Sequence, residues 1–160
     1  KAADVEEIFV FLTEYTEFFE KMEDTQQEKL ELLLSGDLKK IEQSIMVQQA
    51  MDKQLENKEK ARLTLFQDHG LEGKTFRDIL LLQPESGKGP ETPRCRQEWM
   101  QLYDRLKKAI DNIRYYNKKS QEIARSELIK TGADMGAVDP SSGVYHPDYG
   151  GRQNRFVRKI

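Results

Sequence analysis

One cysteine, two histidines and one tryptophan in 160 residues leave little from which to build a metal centre or a nucleophilic site. His69 and His146 fall in expected loops, and neither has a Cys or His at ligand spacing. Glu-x-x-His pairs, which di-iron bundles require, do not occur. The lone Cys95 has no partner for an internal disulfide, which fits a reducing cytoplasm. No apolar run approaches the ~20 residues of a membrane span, and no signal-peptide pattern opens the sequence. The first residue is Lys1 rather than methionine, which leaves a preceding segment open. Charge of one sign is not in excess either: 26 Lys and Arg meet 28 Asp and Glu, for a net charge of -2. Such a balance gives no broad basic field to hold nucleic acid or an anionic membrane. Proline is scarce before the C-terminus: three of the five lie between Gln83 and Pro93, and the other two are Pro140 and Pro147.

What the chain has in quantity is charge and helical periodicity. Charged residues make up 34 % and mean hydropathy is -0.79, polar for a compact globule but ordinary for slender helices with most of their surface wet. Val5, Ile8, Leu12, Tyr15, Phe19 and Met22 recur at steps of three and four, one stripe of a helix. Gln26 and Lys29 weaken the stripe, and Leu30, Leu33 and Leu34 restore it. Phe9, Phe11 and Phe18 add a second apolar flank, so this helix should meet more than one neighbour. Ser35-Gly36-Asp37 breaks it: Gly36 permits positive φ, and Asp37 caps a following helix. So tight a break predicts an antiparallel hairpin.

The second helix opens with Leu38, Ile41 and Ile45. It turns polar around Gln48, Asp52 and Lys58 with Leu55 isolated among them, recovers at Leu63, Leu65 and Phe66, and ends near His69-Gly70. Thr75 and Asp78 make a near capping box for a short helix, Phe76 to Leu82. Its five apolar residues predict a plug across the end of the hairpin. After a Pro- and Gly-bearing loop comes the cleanest series of all: Cys95, Trp99, Leu102, Leu106, Ala109, Ile113, Tyr116, Ser120 and Ile123. Leu128 and Ile129 close it, and Thr131-Gly132 ends it. The fold class read from this is all-α: a long antiparallel hairpin plus a third long helix in a three-helix coiled-coil bundle, with a short connecting helix. At 1.5 Å per residue the three rods are roughly 45–55 Å long.

Residues 1–130 form the expected bundle domain, and 131–160 a tail of different character. There Val138, Val144, Tyr145, Tyr149 and Phe156 are spaced among Asp139-Pro140, His146-Pro147 and Gly150-Gly151, dipeptides that favour turns and extended backbone. Spaced apolar anchors on a non-helical segment are what a partner groove buries. Catalytic look-alikes fail on spacing. Gly70-Leu71-Glu72-Gly73-Lys74-Thr75 has two residues between its glycines where a phosphate loop has four, and no strand precedes it. Carboxylates such as Glu56 sit near lysines such as Lys60 on helix faces, the pattern of a solvated surface. The Arg114, Tyr115, Tyr116, Lys118 and Lys119 run is interleaved with Asp104, Asp111 and Glu122, against a nucleic-acid surface. No catalytic residue, metal ligand or cofactor site is expected, and the chain reads as a non-enzyme that holds a partner.

Leu32-Leu33-Leu34-Ser35-Gly36-Asp37-Leu38, then a charged second helix, then Thr75-Phe76-Arg77-Asp78-Ile79-Leu80 and a long final helix make up an organisation that resembles the FlgN family of flagellar export chaperones. That family is similar also in its tail, where a Tyr has Gly, Pro and Asp nearby, as in Tyr145-His146-Pro147-Asp148-Tyr149-Gly150. The resemblance implies a cytoplasmic protein that binds hook-associated (hook-filament junction) proteins, keeps them unpolymerised and delivers them to the flagellar export apparatus, with no nucleic acid and no membrane insertion. It implies partner binding toward the C-terminus. On this chain that covers Tyr116, Ile123, Leu128 and Ile129 at the end of the last helix, together with the tail anchors Val138, Val144, Tyr145, Tyr149 and Phe156. The strongly basic end, Arg152 to Lys159, departs from the family pattern. The alternative function is a generic coiled-coil scaffold or oligomerisation module.

Overall fold

The computed structural model describes residues 2–85 and 94–130. It contains α1 (Ala2–Ser35), α2 (Leu38–Asp68), the short α3 (Phe76–Leu81) and α4 (Arg96–Lys130), and among the described residues no strand. The helix ends follow local chemistry. Gly36 takes φ +72°, where a Cβ would be strained, and its N–H donates to Leu32 O at 3.2 Å. Asp37 then accepts from Lys40 N at 3.2 Å as the α2 N-cap. For α3 the capping box is complete: Thr75 Oγ1 accepts from Asp78 N at 3.1 Å, and Asp78 accepts from Thr75 N at 2.9 Å.

Helix α1 is the middle of the assembly. Both α2 and α4 pack on it, while the backbones of α2 and α4 make no close approach to each other among the described residues. Apolar side chains on both edges of the α1 stripe explain this, so Phe9 and Phe18 do not share the single second flank expected from the sequence. Phe9 meets Trp99 of α4 edge-on with centroids 5.0 Å apart, and Phe18 lies under Lys58 of α2 at 5.3 Å. Polar pairs show the direction of each neighbour. Glu7 with His69 and Tyr15 with Glu59 run in opposite senses along α1 and α2. Glu6 with Arg94, Glu20 with Arg105 and Glu23 with Asn112 run in the same sense along α1 and the last helical segment.

One core joins all four helices. From α1 it takes Ile8, Leu12, Tyr15, Phe18, Phe19 and Met22; α2 adds Met51, Leu55 and Phe66; α4 adds Trp99, Leu102, Leu106, Ala109, Ile110 and Ile113. The stripes of α1 from Ile8 to Met22 and of α4 from Trp99 to Ile113 are therefore where the periodicity puts them, while their expected continuation through Leu30, Leu33 and Leu34 and through Tyr116 and Ile123 is not fully buried. Three further expectations need correction. In α2 the core residues are Met51, Leu55 and Phe66, with Leu63 left exposed, because Glu59 and Arg62 occupy the inward positions between them. Helix α3 stops at Leu81 and packs on α4 rather than capping the hairpin. Its Phe76 is held edge-on by Trp99 and Tyr103, and only Phe76, Ile79 and Leu80 are buried. His69 is not a solvated loop residue: it is the half-buried C-cap of α2, with its Nε2 3.2 Å from Glu7 Oε2.

Candidate partner-binding surface

Polar chemistry inside the bundle is the first place to look for an active site. Tyr15, Glu59 and Arg62 meet between α1 and α2. The Tyr15 hydroxyl donates to Glu59 Oε2 at 3.1 Å, and Arg62 Nε donates to the same oxygen at 3.0 Å while its Nη2 bonds Oε1. Arg62 also lies over the Phe66 ring at 5.2 Å. Burial raises the Tyr15 pKa far above its ordinary value, and the Glu59 charge adds to the effect. For Arg62, burial opposes the charged form, but hydrogen bonding and attraction to Glu59 outweigh it and the pKa rises. A phenol held protonated and a guanidinium held charged, both engaged by one buried carboxylate, have nothing free to offer a substrate. The cluster fastens α2 to α1.

Further along is a polar layer. Gln26 of α1 and Ser120 of α4 are fully buried, and Gln48 of α2 and Asn117 of α4 nearly so. The register of the Tyr15–Glu59 pair brings Gln48 to the level of Gln26, and the Glu23–Asn112 hydrogen bond brings Asn117 there from α4. Within the next turn of α1, Lys29 is half-buried. Desolvation pushes its pKa down to about 8, against the pull of Asp52. Thus Gln26 and Lys29 do not simply interrupt the apolar stripe; Gln26 continues it inward with a polar side chain.

Beyond this layer the bundle changes character. No described residue of α1 after Gln26, of α2 before Gln48, or of α4 after Ser120 is fully buried. Yet the segment is rich in apolar side chains. Leu30, Leu32, Leu33, Ile41 and Ile45 are half-buried, while Leu34, Leu38 and Met46 are 68 %, 75 % and 70 % exposed. Because α4 runs alongside α1, its last turns reach this same end. Tyr116 and Ile123 are half-buried there, and Ile129 is 63 % exposed. The sequence-predicted positions on α4 and the hairpin tip thus share one end of the bundle. Leu128 belongs to α4, but its side chain lies outside the described residues, as do Val138, Val144, Tyr145, Tyr149 and Phe156. The periodicity missed the hairpin tip as a surface. Leu30 to Leu34 and Leu38 to Ile45 read as core-forming stripes, but among the described residues none of these side chains is fully buried.

Among the described residues no three His, Cys, Asp or Glu side chains come together as metal ligands, and no helix is long and apolar enough to cross a membrane. Comparison with protein-family models, with curated proteins and with solved structures returned no match to this chain.

Proposed function

We propose that this chain is a non-enzymatic binding protein of the cytoplasm, a chaperone of the FlgN type for flagellar type III export. On this reading it holds hook-filament junction proteins unpolymerised and hands them to the export apparatus. The observation that supports it is the open end of the bundle, where half-buried and exposed Leu, Ile and Met side chains of α1 and α2 lie beside the last turns of α4. An amphipathic helix from a client's terminus is the natural occupant of such a surface, since its apolar face matches the Leu, Ile and Met side chains that the described residues leave partly or wholly exposed there. Sequestering that helix withholds it from polymerisation, and no bond is made or broken.

Titration calorimetry of purified junction proteins against the full chain, and against the chain cut after Lys130, tests the reading. Saturable binding is expected, weakened when residues 131–160 are removed. No binding to any junction protein by the full chain overturns the client assignment. The same exposed apolar end also favours a second reading, self-association as a coiled-coil scaffold. Sedimentation over a wide concentration range separates the two, because a chain that stays monomeric throughout is not an oligomerisation module.

A further inference from the structure

We infer that the bundle is built in two parts that open separately, with the buried layer of Gln26, Gln48, Asn117 and Ser120 as the joint between them. This stands apart from the chaperone reading and holds or fails without it.

On one side of the layer, fifteen side chains of α1, α2 and α4, from Ile8 to Ile113, belong to the apolar core. Each such side chain removed from water adds to the hold of one helix on the next, roughly in proportion to its apolar area. On the other side no described residue is fully buried. There the helical backbone keeps its own hydrogen bonds, but the apolar contact between helices is less complete: Leu30, Leu32, Leu33, Ile41 and Ile45 are only partly withdrawn from water, and Leu34, Leu38 and Met46 stay exposed. The layer itself couples the two sides poorly. Buried polar groups return little net stability even when satisfied, and a cost when not. Here the Gln48 side-chain amide and the Ser120 hydroxyl have buried atoms with no hydrogen-bond partner. Lys29, just past the layer, is partly stripped of water as well, with Asp52 the acidic group whose charge acts on it. A polar residue at a core position of a coiled coil specifies register at the expense of stability. Four of them at neighbouring levels on three helices make a weak plane across the bundle.

Opening past that plane frees the hairpin tip and the end of α4. Without packing, the distal turns are held by helix propagation alone, whose constant is only about 1–1.6 per residue, so they fray and their amides become exchangeable. Local opening of this kind exposes less surface than global unfolding, and so it depends less on denaturant.

Hydrogen exchange of the full chain, resolved to peptides, across low urea concentrations tests the inference. Amides of residues 30–46 and 122–129 are expected to exchange at least ~100-fold faster than those of 12–22 and 102–113, and with a shallower urea dependence. Replacing the layer with apolar side chains, Gln26→Leu, Gln48→Leu and Asn117→Leu together, is expected to slow distal exchange about tenfold or more while the core is slowed less. Ser120→Ala, which removes one hydroxyl and little volume, is expected to slow it in the same direction. Equal rates and equal urea slopes in the two parts of the wild-type chain overturn the inference, whether or not the triple variant folds. Distal rates unchanged in both variants overturn the assignment of the joint to this layer.

Discussion

Two side chains give the protein an alkaline stability profile whose shape can be worked out group by group. Lys29 ordinarily titrates at 10.5, and burial lowers this to about 8 in the folded chain, with Asp52 only partly offsetting the loss of water. Between those values the unfolded chain binds more protons than the folded one, so this group makes stability rise with pH from about 8 to about 10.5. Tyr15 acts in the opposite sense. Its folded pKa is raised well above 10.0 by burial and by the Glu59 charge, so its contribution is complete below that value and is lost as pH climbs past it. The two effects cancel between the two unfolded values, and the stability of the wild-type chain is expected to pass through a maximum just above pH ~10. Urea midpoints across this range measure it. Lys29→Met should remove the rise, of roughly 1–3 kcal/mol, and Tyr15→Phe should flatten the fall. A Lys29→Met profile that keeps the wild-type rise would show that Lys29 is solvated.

At the scale of elements, α2 is held differently from α4. Helix α4 buries an unbroken apolar stripe from Trp99 to Ile113, the sort of pattern periodicity detects directly. Helix α2 buries Met51, Leu55 and Phe66, with Glu59 and Arg62 filling the turns between them. A reading that counts apolar residues therefore sees α2 as weakly amphipathic, and it assigns Leu63 inward where the ion pair in fact sits. Nothing in the spacing of Tyr15, Glu59 and Arg62 marks them as neighbours, because their meeting depends on the register of α1 against α2. The caps at Asp37 and Thr75 were legible because capping is local. The docking of α3 on α4 was not, since a short apolar helix fits any apolar surface and only Trp99 and Tyr103 select this one. The ion pair makes a testable distinction between an element held by charge and one held by volume. Arg62→Met leaves Glu59 buried without its cation and should cost ~3–5 kcal/mol. The triple replacement Arg62→Met with Glu59→Leu and Tyr15→Phe should recover most of that loss, because no charge is then buried and no phenol hydroxyl is left without its acceptor. Chemical denaturation of the two variants decides it. Equal destabilisation in both would mean that the pair contributes through its geometry, not merely through mutual neutralisation.

For the whole molecule, the proposed reading draws stability and partner binding from opposite ends. The apolar core lies between Ile8 and Met22 of α1 and the residues facing them, while the large exposed side chains Leu34, Leu38 and Met46 gather at the hairpin turn. Substitutions at such exposed sites ordinarily change stability by no more than about 0.5 kcal/mol, provided they touch no packed neighbour. Apolar anchors that become buried on association, in contrast, contribute on the order of 1 kcal/mol or more each. The double variant Leu34→Ser with Met46→Ser separates these two roles. Its melting temperature is expected to stay within about 2 °C of wild type, since ~1 kcal/mol shifts a chain of this size by only a few degrees. Its affinity for a junction protein is expected to fall about tenfold or more, one factor of ten for each ~1.4 kcal/mol withdrawn. Calorimetric melting and binding titrations on the same preparation read both quantities. A drop of many degrees would show that the tip is packed as core. Unchanged affinity beside an unchanged melt would move the binding surface off the hairpin and onto the far end of α4 and the residues that follow it.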